Sequence, residues 1–510
     1  MLSKKGKKKM NTQDTNRKLP MRVKLGYSVA SVAPTIQMLI QMYFLLYFYV
    51  SIVGLSGGVA GTIILIARVW DFINDPLMGS LVEKSNKPGG TCLWWMKRAL
   101  IPIAIFMVLC FSAPNLSYTM KVVWAAATFI CLGMSQTAYS IPMNALQPKL
   151  TTDRTERVKL GTYGGVASSI LNAIVPAVTM PLVAMLSTSN PATAFTKLAA
   201  IYACVYLLMG FLGILGCRGY EINDYDKEKG ENAPAPTVKE MFAALVQNKV
   251  SGVVFLIQVV KMLFSSLQGS MLLYFCTYNL GNANIMSVTT SVGVIFTIGA
   301  TLLMVPLHKK LGNAGVGVLG AAIDTVTMLI LVIIHVSNPK IYIAGVLIAV
   351  AGASLATNIL SQCLMDSLDY GEWKTGRKNT AVVMSAYGIG TKIGLAFGGS
   401  IAAYVIGLIG FDPNAATQPE NIVNIFFHMT ITSEAVIYGI MLVLFLYLTK
   451  IEKKLPMMRA EIAARKEKQV QYVVVKKSRH EKYLFLICFF KSRHEEYFCR
   501  SCFFKSGHGQ

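Results

Sequence analysis

The chain has 510 residues, of which 54% are apolar and only 14% are charged, and its formal net charge is +23. A charged fraction this low excludes an ordinary soluble enzyme. The basic excess does not indicate nucleic acid, because Lys and Arg concentrate at the N-terminus and in alternate loops between apolar segments.

The cysteines and the catalytic motifs exclude further classes. The ten Cys show no CxxxH spacing and a single CxxC, Cys499 to Cys502 in the C-terminal tail, and seven lie in or beside apolar segments, which indicates small core residues in a reducing compartment. The sequence contains no HExxH, Ser-His-Asp or clustered His/Cys pattern, so neither an enzyme nor a cofactor is predicted. Without a cleavable signal peptide, the first apolar segment is expected to direct membrane insertion.

Twelve apolar segments are long enough to cross a bilayer as helices. They cover residues 25–52, 58–83, 98–113, 119–146, 160–187, 194–216, 249–279, 285–308, 313–336, 340–368, 380–410 and 421–450. We therefore predict an all-α integral membrane protein, multi-pass in the plasma (inner) membrane and surrounded by lipid. Loops on the N-terminal side carry most of the bases, so both termini are expected in the cytoplasm.

The longest hydrophilic break divides six segments from six. The predicted units are a basic N-terminal tail over 1–23, a six-helix bundle over 24–216, a cytoplasmic linker over 217–248, a second bundle over 249–450 and a disordered tail over 451–510. Within that tail Lys477 to Glu481 recurs as Lys491 to Glu495, a repeat for which no role is predicted. Two six-helix halves are typical of transporters with a solute site near mid-membrane.

The second apolar segment carries three charged residues within its membrane-spanning length. Arg68, Asp71 and Asp75 are three and four residues apart and therefore share one stripe. Charges near a membrane centre are costly, so the stripe must face the bundle interior or a cavity. The stripe is either an ion-pair knot between helices or a site for a small cation or proton. The surplus carboxylate and the Asn74 amide favour the second interpretation.

These residues carry a family resemblance. Ala67-Arg68, Trp70-Asp71 and Asn74-Asp75-Pro76 resemble the second-helix signature of the glycoside-pentoside-hexuronide:cation symporters, the melibiose permease family within the major facilitator superfamily. The resemblance implies twelve helices in two halves. It also implies that Asp71, Asp75 and Asn74 bind the coupling cation. Arg68 beside them is predicted to take part in coupling.

The fourth segment adds a polar face. Gln136, Ser140 and Asn144 recur every four residues, and Thr137 adjoins them. They either hold helices together by hydrogen bonds or line a site. The stretch from Gln136 to Leu146 and the following Asp153 to Arg157 run resemble the family, and by that resemblance Thr137 adds a hydroxyl ligand to the cation.

The solute positions depart from the melibiose permease. Ser140 and Thr35 replace acids, Asn144 replaces an aromatic, and Gly164 or Gly165 replaces an Arg. Carboxylates and aromatic faces grip a galactoside, so their loss predicts a different solute. Gln136, Ser140, Asn144, Thr35 and Lys261 are the predicted solute-binding residues.

Two features of the second half resemble the family. The run from Asp369 to Arg377 matches its loop between the tenth and eleventh helices, which implies a cytoplasmic gate latch formed by Asp369, Glu372, Lys374 and Arg377. Lys392 matches a Lys that links the cation and solute sites. A buried Lys is costly, so it is expected to pair with Asp71 or Asp75.

Two other features do not resemble the family. Lys261 either meets an anionic solute or pairs with Asp324 or Glu434. The second-to-third loop, Lys84 to Gly90, also departs from the family pattern, so no detailed gating is predicted there.

The expected function is uptake of a sugar, glycoside or related polar solute such as a pentoside or uronate, coupled to Na⁺ or H⁺. The transported ion is the only metal expected at Asp71 and Asp75. The alternatives are an exporter of drugs or amphiphiles with the same fold, and a solute sensor that does not transport.

Overall fold

The computed structural model describes residues 18–85, 87, 90–151, 153–187, 191–221, 243, 245–376, 380–413, 415 and 417–465. These residues are almost entirely helical. Residues 1–17 of the predicted N-terminal tail, most of the linker (222–242), Arg377 and the repeat beyond 465 lie outside the described residues.

Fourteen α-helices form the described part of the chain, and twelve helical stretches are long and apolar enough to cross a membrane. The helices are α1 Met21–Ile40, α2 Gly57–Lys84, α3 Thr91–Cys110, α4 Tyr118–Leu150, α5 Arg154–Leu186, α6 Pro191–Cys217, α7 Lys249–Tyr278, α8 Asn284–Ile333, α9 Pro339–Asn358, α10 Leu360–Thr375, α11 Thr380–Leu408, α12 Glu420–Phe427, α13 Ser433–Glu452 and α14 455–465. Wider π-helical turns extend α1 through Gln41–Leu45 and Phe48–Ile52, and join α12 to α13 through His428–Thr432.

The span boundaries differ from prediction at three places. The third span begins at Thr91 rather than at 98. Lys97 and Arg98 do not interrupt the helix, because both are exposed and Arg98 stacks 3.5 Å above the Trp94 ring. The eighth and ninth spans meet at Gly312, whose φ of 75° breaks α8 in two. The predicted span over 340–368 is interrupted at Ile359, between α9 and α10.

The expected disorder after residue 451 is wrong for its first part. Helix α14 packs back on the second half through buried Leu455 and Met458. Arg459 forms ion pairs of 2.9 Å with Asp366 and Asp369 of α10. These contacts supply the apolar burial and the charge partners that order a helix.

The two halves meet at the end remote from the termini. One hydrophobic cluster includes buried aromatic residues of both halves, such as Phe48, Tyr274 and Phe426, whereas a second cluster is confined to the second half. Thr62 Oγ1 lies 3.0 Å from Tyr404 Oη across the interface. Gly57 packs directly on Gly407, where a Cβ would lie 2.4 Å from a backbone atom. The remaining space between the halves therefore lies toward the end that carries the termini.

Candidate functional site

A cavity of about 480 Å³ lies between α1, α2, α4 and α11, and so involves both halves. It lies between the interface contacts described above and the terminal end of the bundle. Its charged and polar lining residues are Thr35, Gln37, Gln41, Arg68, Asp71, Asp75, Gln136, Thr137, Ser140, Asn144, Thr391 and Lys392. Its size suits a small solute rather than a macromolecule.

Asp75 connects the two halves inside this cavity. One oxygen, Oδ2, forms an ion pair with Lys392 Nζ of α11, and Oδ1 accepts a hydrogen bond of 3.1 Å from Thr137 Oγ1 of α4. The expected pairing of Lys392 with one of the two carboxylates is confirmed. A hydroxyl and an ammonium thus contact the same carboxylate from different helices.

Asp71 has a weaker partner. Its Oδ2 lies 3.5 Å from Arg68 Nη1, one helical turn earlier on α2, and the Arg68 guanidinium lies 5.7 Å from the centre of the Phe129 ring. Gly133 of α4 admits the carboxylate, since a Cβ there would lie 2.6 Å from Asp71 Oδ1. Asp71 is therefore held by one long ion pair and retains oxygen lone pairs for another ligand.

Several predicted residues converge on the cavity. Thr35, Gln136, Thr137, Ser140 and Asn144 all line it, so the polar face of α4 does turn inward. Gln136 also accepts a hydrogen bond of 3.0 Å from Tyr206 Oη of α6, which fixes its amide.

Two predicted residues are not brought into the cavity. Asn74 is half-buried on α2 but does not line it, although the two acids on either side do. Lys261 of α7 is also half-buried outside the lining. Within the part of the chain that the structure describes, it forms no ion pair with Asp324 or Glu434, so that alternative is wrong.

Sequence reasoning missed three polar residues of the lining. Gln37 and Gln41 of the first span reach the cavity, and Gln37 Oε1 and Gln41 Nε2 are buried with no hydrogen-bond partner in the described part of the chain. Their four-residue spacing within an apolar segment was the available signal. Thr391 beside Lys392 accepts a hydrogen bond of 2.8 Å from Gln258.

The predicted gate residues on α10 have their partners within the second half and beside it in the chain. Asp369 pairs with Arg459, and Lys374 Nζ donates to the Gln247 carbonyl at 2.9 Å. Glu372, on the same helix, is buried. Of the predicted latch, Asp369 thus contacts α14, within the segment that was expected to be disordered.

A second acidic pair lies outside the cavity. Asp324 and Glu434 are both buried in the second half. Gln268 Nε2 donates to Glu434 at 2.8 Å, whereas neither Asp324 oxygen has a hydrogen-bond donor among the residues that the structure describes. This pair is distinct from the candidate site on α2.

Twelve spans in two halves, with a charged polar cavity between them, define a membrane transport protein. The family of MFS/sugar transport proteins matches residues 26–453, and the chain belongs to it. The protein is therefore a transporter and not an enzyme.

Several named relatives match most of the chain. It is 26% identical over 406 residues to the isoprimeverose transporter of Lactiplantibacillus pentosus, which spans 79% of this chain and 83% of the relative. It is 24% identical over 464 residues to the glucuronide carrier protein homolog of Escherichia coli K12, spanning 90% and 99% respectively. A putative sulfoquinovose importer of the same strain is 25% identical, spanning 89% and 96%.

Solved structures share the major facilitator fold. A bacterial homolog of the human lysosomal transporter Spinster, in an inward-facing and unoccupied conformation, superposes with a TM-score of 0.59 at 11% identity, covering 85% of this chain and 97% of the other. The nucleoside transporter NupG superposes with a TM-score of 0.56 at 13% identity, covering 85% and 100%. At these identities the similarity concerns the fold alone.

Proposed function

We propose that this chain is a symporter that carries a sugar-like or glycoside-like solute, including uronates, together with one Na⁺ or H⁺ that binds at Asp71 and Asp75. The observation that carries the proposal is the shared carboxylate: Asp75 of the first half contacts Lys392 of the second half and Thr137 at once. The sugar-linked names of the relatives support the solute class.

The charges of the site suggest how cation and solute are coupled. Arg68 and Lys392 balance Asp71 and Asp75, so the four side chains sum to zero charge. A cation that binds Asp75 must displace the Lys392 ammonium, which leaves one surplus positive charge and an unpaired Lys. An unpaired charge in a low-dielectric interior is costly, so the halves would not reorient in that state.

A solute relieves this cost. Sugar hydroxyls, or the carboxylate of a uronate, can accept hydrogen bonds from the displaced Lys392 ammonium. Gln37, Gln41, Ser140 and Asn144 offer further donors and acceptors around the same cavity. With both cation and solute bound, every charge in the site is therefore paired again, and the two halves can reorient. The halves can also reorient when the site is empty, because Lys392 then pairs with Asp75.

The energy available is sufficient for accumulation. One elementary charge that moves through 100 mV releases about 2.3 kcal/mol, which concentrates a neutral solute about 50-fold. With both termini in the cytoplasm, as the basic loops indicate, the closed end of the bundle faces outward and the cavity lies toward the inside. In that orientation the structure corresponds to the state from which the solute is released to the cytoplasm.

The test is uptake into proteoliposomes with an imposed Na⁺ or pH gradient, using radiolabelled glycosides, pentosides and uronates. We expect Asp75→Cys to abolish uphill uptake of the transported solute and to leave solute exchange measurable. Asp324→Asn, an intramembrane acid outside the cavity, is the matched control and should retain uphill uptake. Unchanged accumulation in Asp75→Cys would refute the cation assignment.

The alternative of an exporter is tested in the same vesicles. A polar lining with four charges suits a hydrophilic solute better than an amphiphile. Cation-driven extrusion of lipophilic dyes, without cation-dependent uptake of any sugar derivative, would favour the exporter.

A further inference from the structure

A second cavity of about 770 Å³ lies between α1 and α6, near the end of the bundle that carries the N-terminus. It shares no lining residue with the central cavity. Its walls are Leu25 and Val29 on α1 and Leu212 and Leu215 on α6. Nothing in the transport mechanism uses this groove.

The groove exists because small residues bring the two helices into backbone contact. A Cβ on Gly26 would lie 2.7 Å from Gly216 Cα, and one on Gly213 would lie 2.5 Å from Ala30 Cβ. The floor therefore has no side chain, and the leucines on either side stand above it as walls.

The walls face the lipid rather than another part of the protein. Leu25 and Leu212 are each 50% exposed and Leu215 is 40% exposed. Other exposed apolar residues of α6 recur at helical spacing on the same side: Ile201, Val205, Leu208 and Phe211. In a membrane-spanning helix such a face contacts acyl chains.

Two guanidinium groups stand at the mouth of the groove. Arg22 donates from Nε to the Gly216 carbonyl near the end of α6 and from Nη2 to the Arg218 carbonyl just beyond it, both at 3.4 Å. The Arg218 side chain is exposed and forms no ion pair among the described residues. The acid nearest in sequence, Glu221, is engaged with the backbone N–H groups of Cys92 and Leu93. Positive charge is thus available directly above an apolar slot.

We propose that this groove binds one anionic glycerophospholipid, with its phosphodiester at Arg22 and Arg218 and an acyl chain along the leucine walls. Guanidinium groups bind phosphate oxygens in a bidentate manner, and basic side chains at a membrane surface select anionic over zwitterionic headgroups. A free phosphate would use the arginines alone and leave the apolar walls without a ligand. The occupant would hold α1 and α6 together at the base of the first half.

The experiment uses the full chain in detergent, with native mass spectrometry to count bound lipid during titration with phosphatidylglycerol, phosphatidylcholine or inorganic phosphate. We expect one phosphatidylglycerol to bind in preference to phosphatidylcholine. Arg22→Gln/Arg218→Gln should weaken the binding of phosphatidylglycerol roughly 30-fold, which is the affinity that two basic side chains contribute at an anionic surface. Leu215→Trp, which fills the slot and keeps both charges, should also displace the lipid.

The matched control is Lys97→Gln/Arg98→Gln, which removes two exposed positive charges from the start of α3 and leaves the groove intact. It should bind phosphatidylglycerol as the parent does. Arg22→Lys/Arg218→Lys, which keeps both charges but loses the bidentate contact, should bind more tightly than the glutamine pair and less tightly than the parent. Equal loss in both glutamine pairs would mean general charge attraction and would overturn the proposal. Binding that survives Leu215→Trp, or inorganic phosphate that competes fully, would overturn it as well.

Discussion

Replacing Lys392 with Gln is the most direct test of competition between an ammonium and a transported cation. In the structure Lys392 Nζ pairs with Asp75 Oδ2, so any cation that binds this oxygen must first break the ion pair. Lys392→Gln removes the competitor while keeping a polar side chain of similar length. We expect the affinity for the coupling cation to rise and the coupling to solute to fall.

The size of the effect follows from the exposure of the pair. At an effective dielectric constant of about 20, two unit charges about 4 Å apart attract each other by about 4 kcal/mol. The Lys392 side chain is 39% exposed and that of Asp75 is 27% exposed, so solvent screening reduces the attraction to about 1–2 kcal/mol. This corresponds to an affinity gain of about 5-fold to 30-fold.

The assay is isothermal titration of the purified protein with Na⁺, and, for proton coupling, the pH dependence of solute binding. Lys340→Gln, which removes an exposed Lys at the start of α9, should leave cation binding unchanged. Proteoliposomes of Lys392→Gln should admit the cation without accumulating solute. If cation affinity is unchanged or weaker in Lys392→Gln, Lys392 does not compete at Asp75 and the coupling scheme is wrong.

Three further predictions address neighbouring features. Thr137→Val removes the 3.1 Å hydrogen bond to Asp75 and should lower Na⁺ affinity by about 5-fold to 10-fold, measured by the same titration, with Thr137→Ser retaining it. Gly133→Ala places a Cβ 2.6 Å from Asp71 Oδ1 and should weaken cation binding with little change in thermal stability, whereas Gly79→Ala, which meets open space, should change neither. The hydrogen bonds from Lys24 and Lys159 lower the pKa of Glu156 to about 2 from an ordinary value of 4.5. The contribution of Glu156 to stability is therefore complete above pH 4.5 and is lost as the pH falls toward 2. Glu156→Gln should lower the melting temperature at pH 6, and the melting temperature of this variant should decline less steeply than that of the parent between pH 5 and pH 3.

Local periodicity determined much of this protein. The length of the apolar segments predicts twelve spans, because a helix must satisfy its own backbone groups inside a bilayer. The spacing of Arg68, Asp71 and Asp75 places them on one stripe of α2, and the cost of charge in lipid requires that stripe to face inward. The spacing of Gln136, Ser140 and Asn144 likewise predicts one polar face of α4, but it left open whether that face lines the cavity, as it does, or only holds helices together.

Only the tertiary structure decided which residues of different helices meet. Asn74 lies between Asp71 and Asp75 in the chain yet does not line the cavity, because the turn of the helix carries it to another side. Lys392 could have paired with either acid, and the packing of α11 on α2 selected Asp75. Gln37 and Gln41, the α14 contacts of Asp369 and the groove above Gly26 and Gly216 all depend on interhelical distances. A periodic pattern specifies the face of one helix, whereas the partner of that face is set by how all the helices pack together.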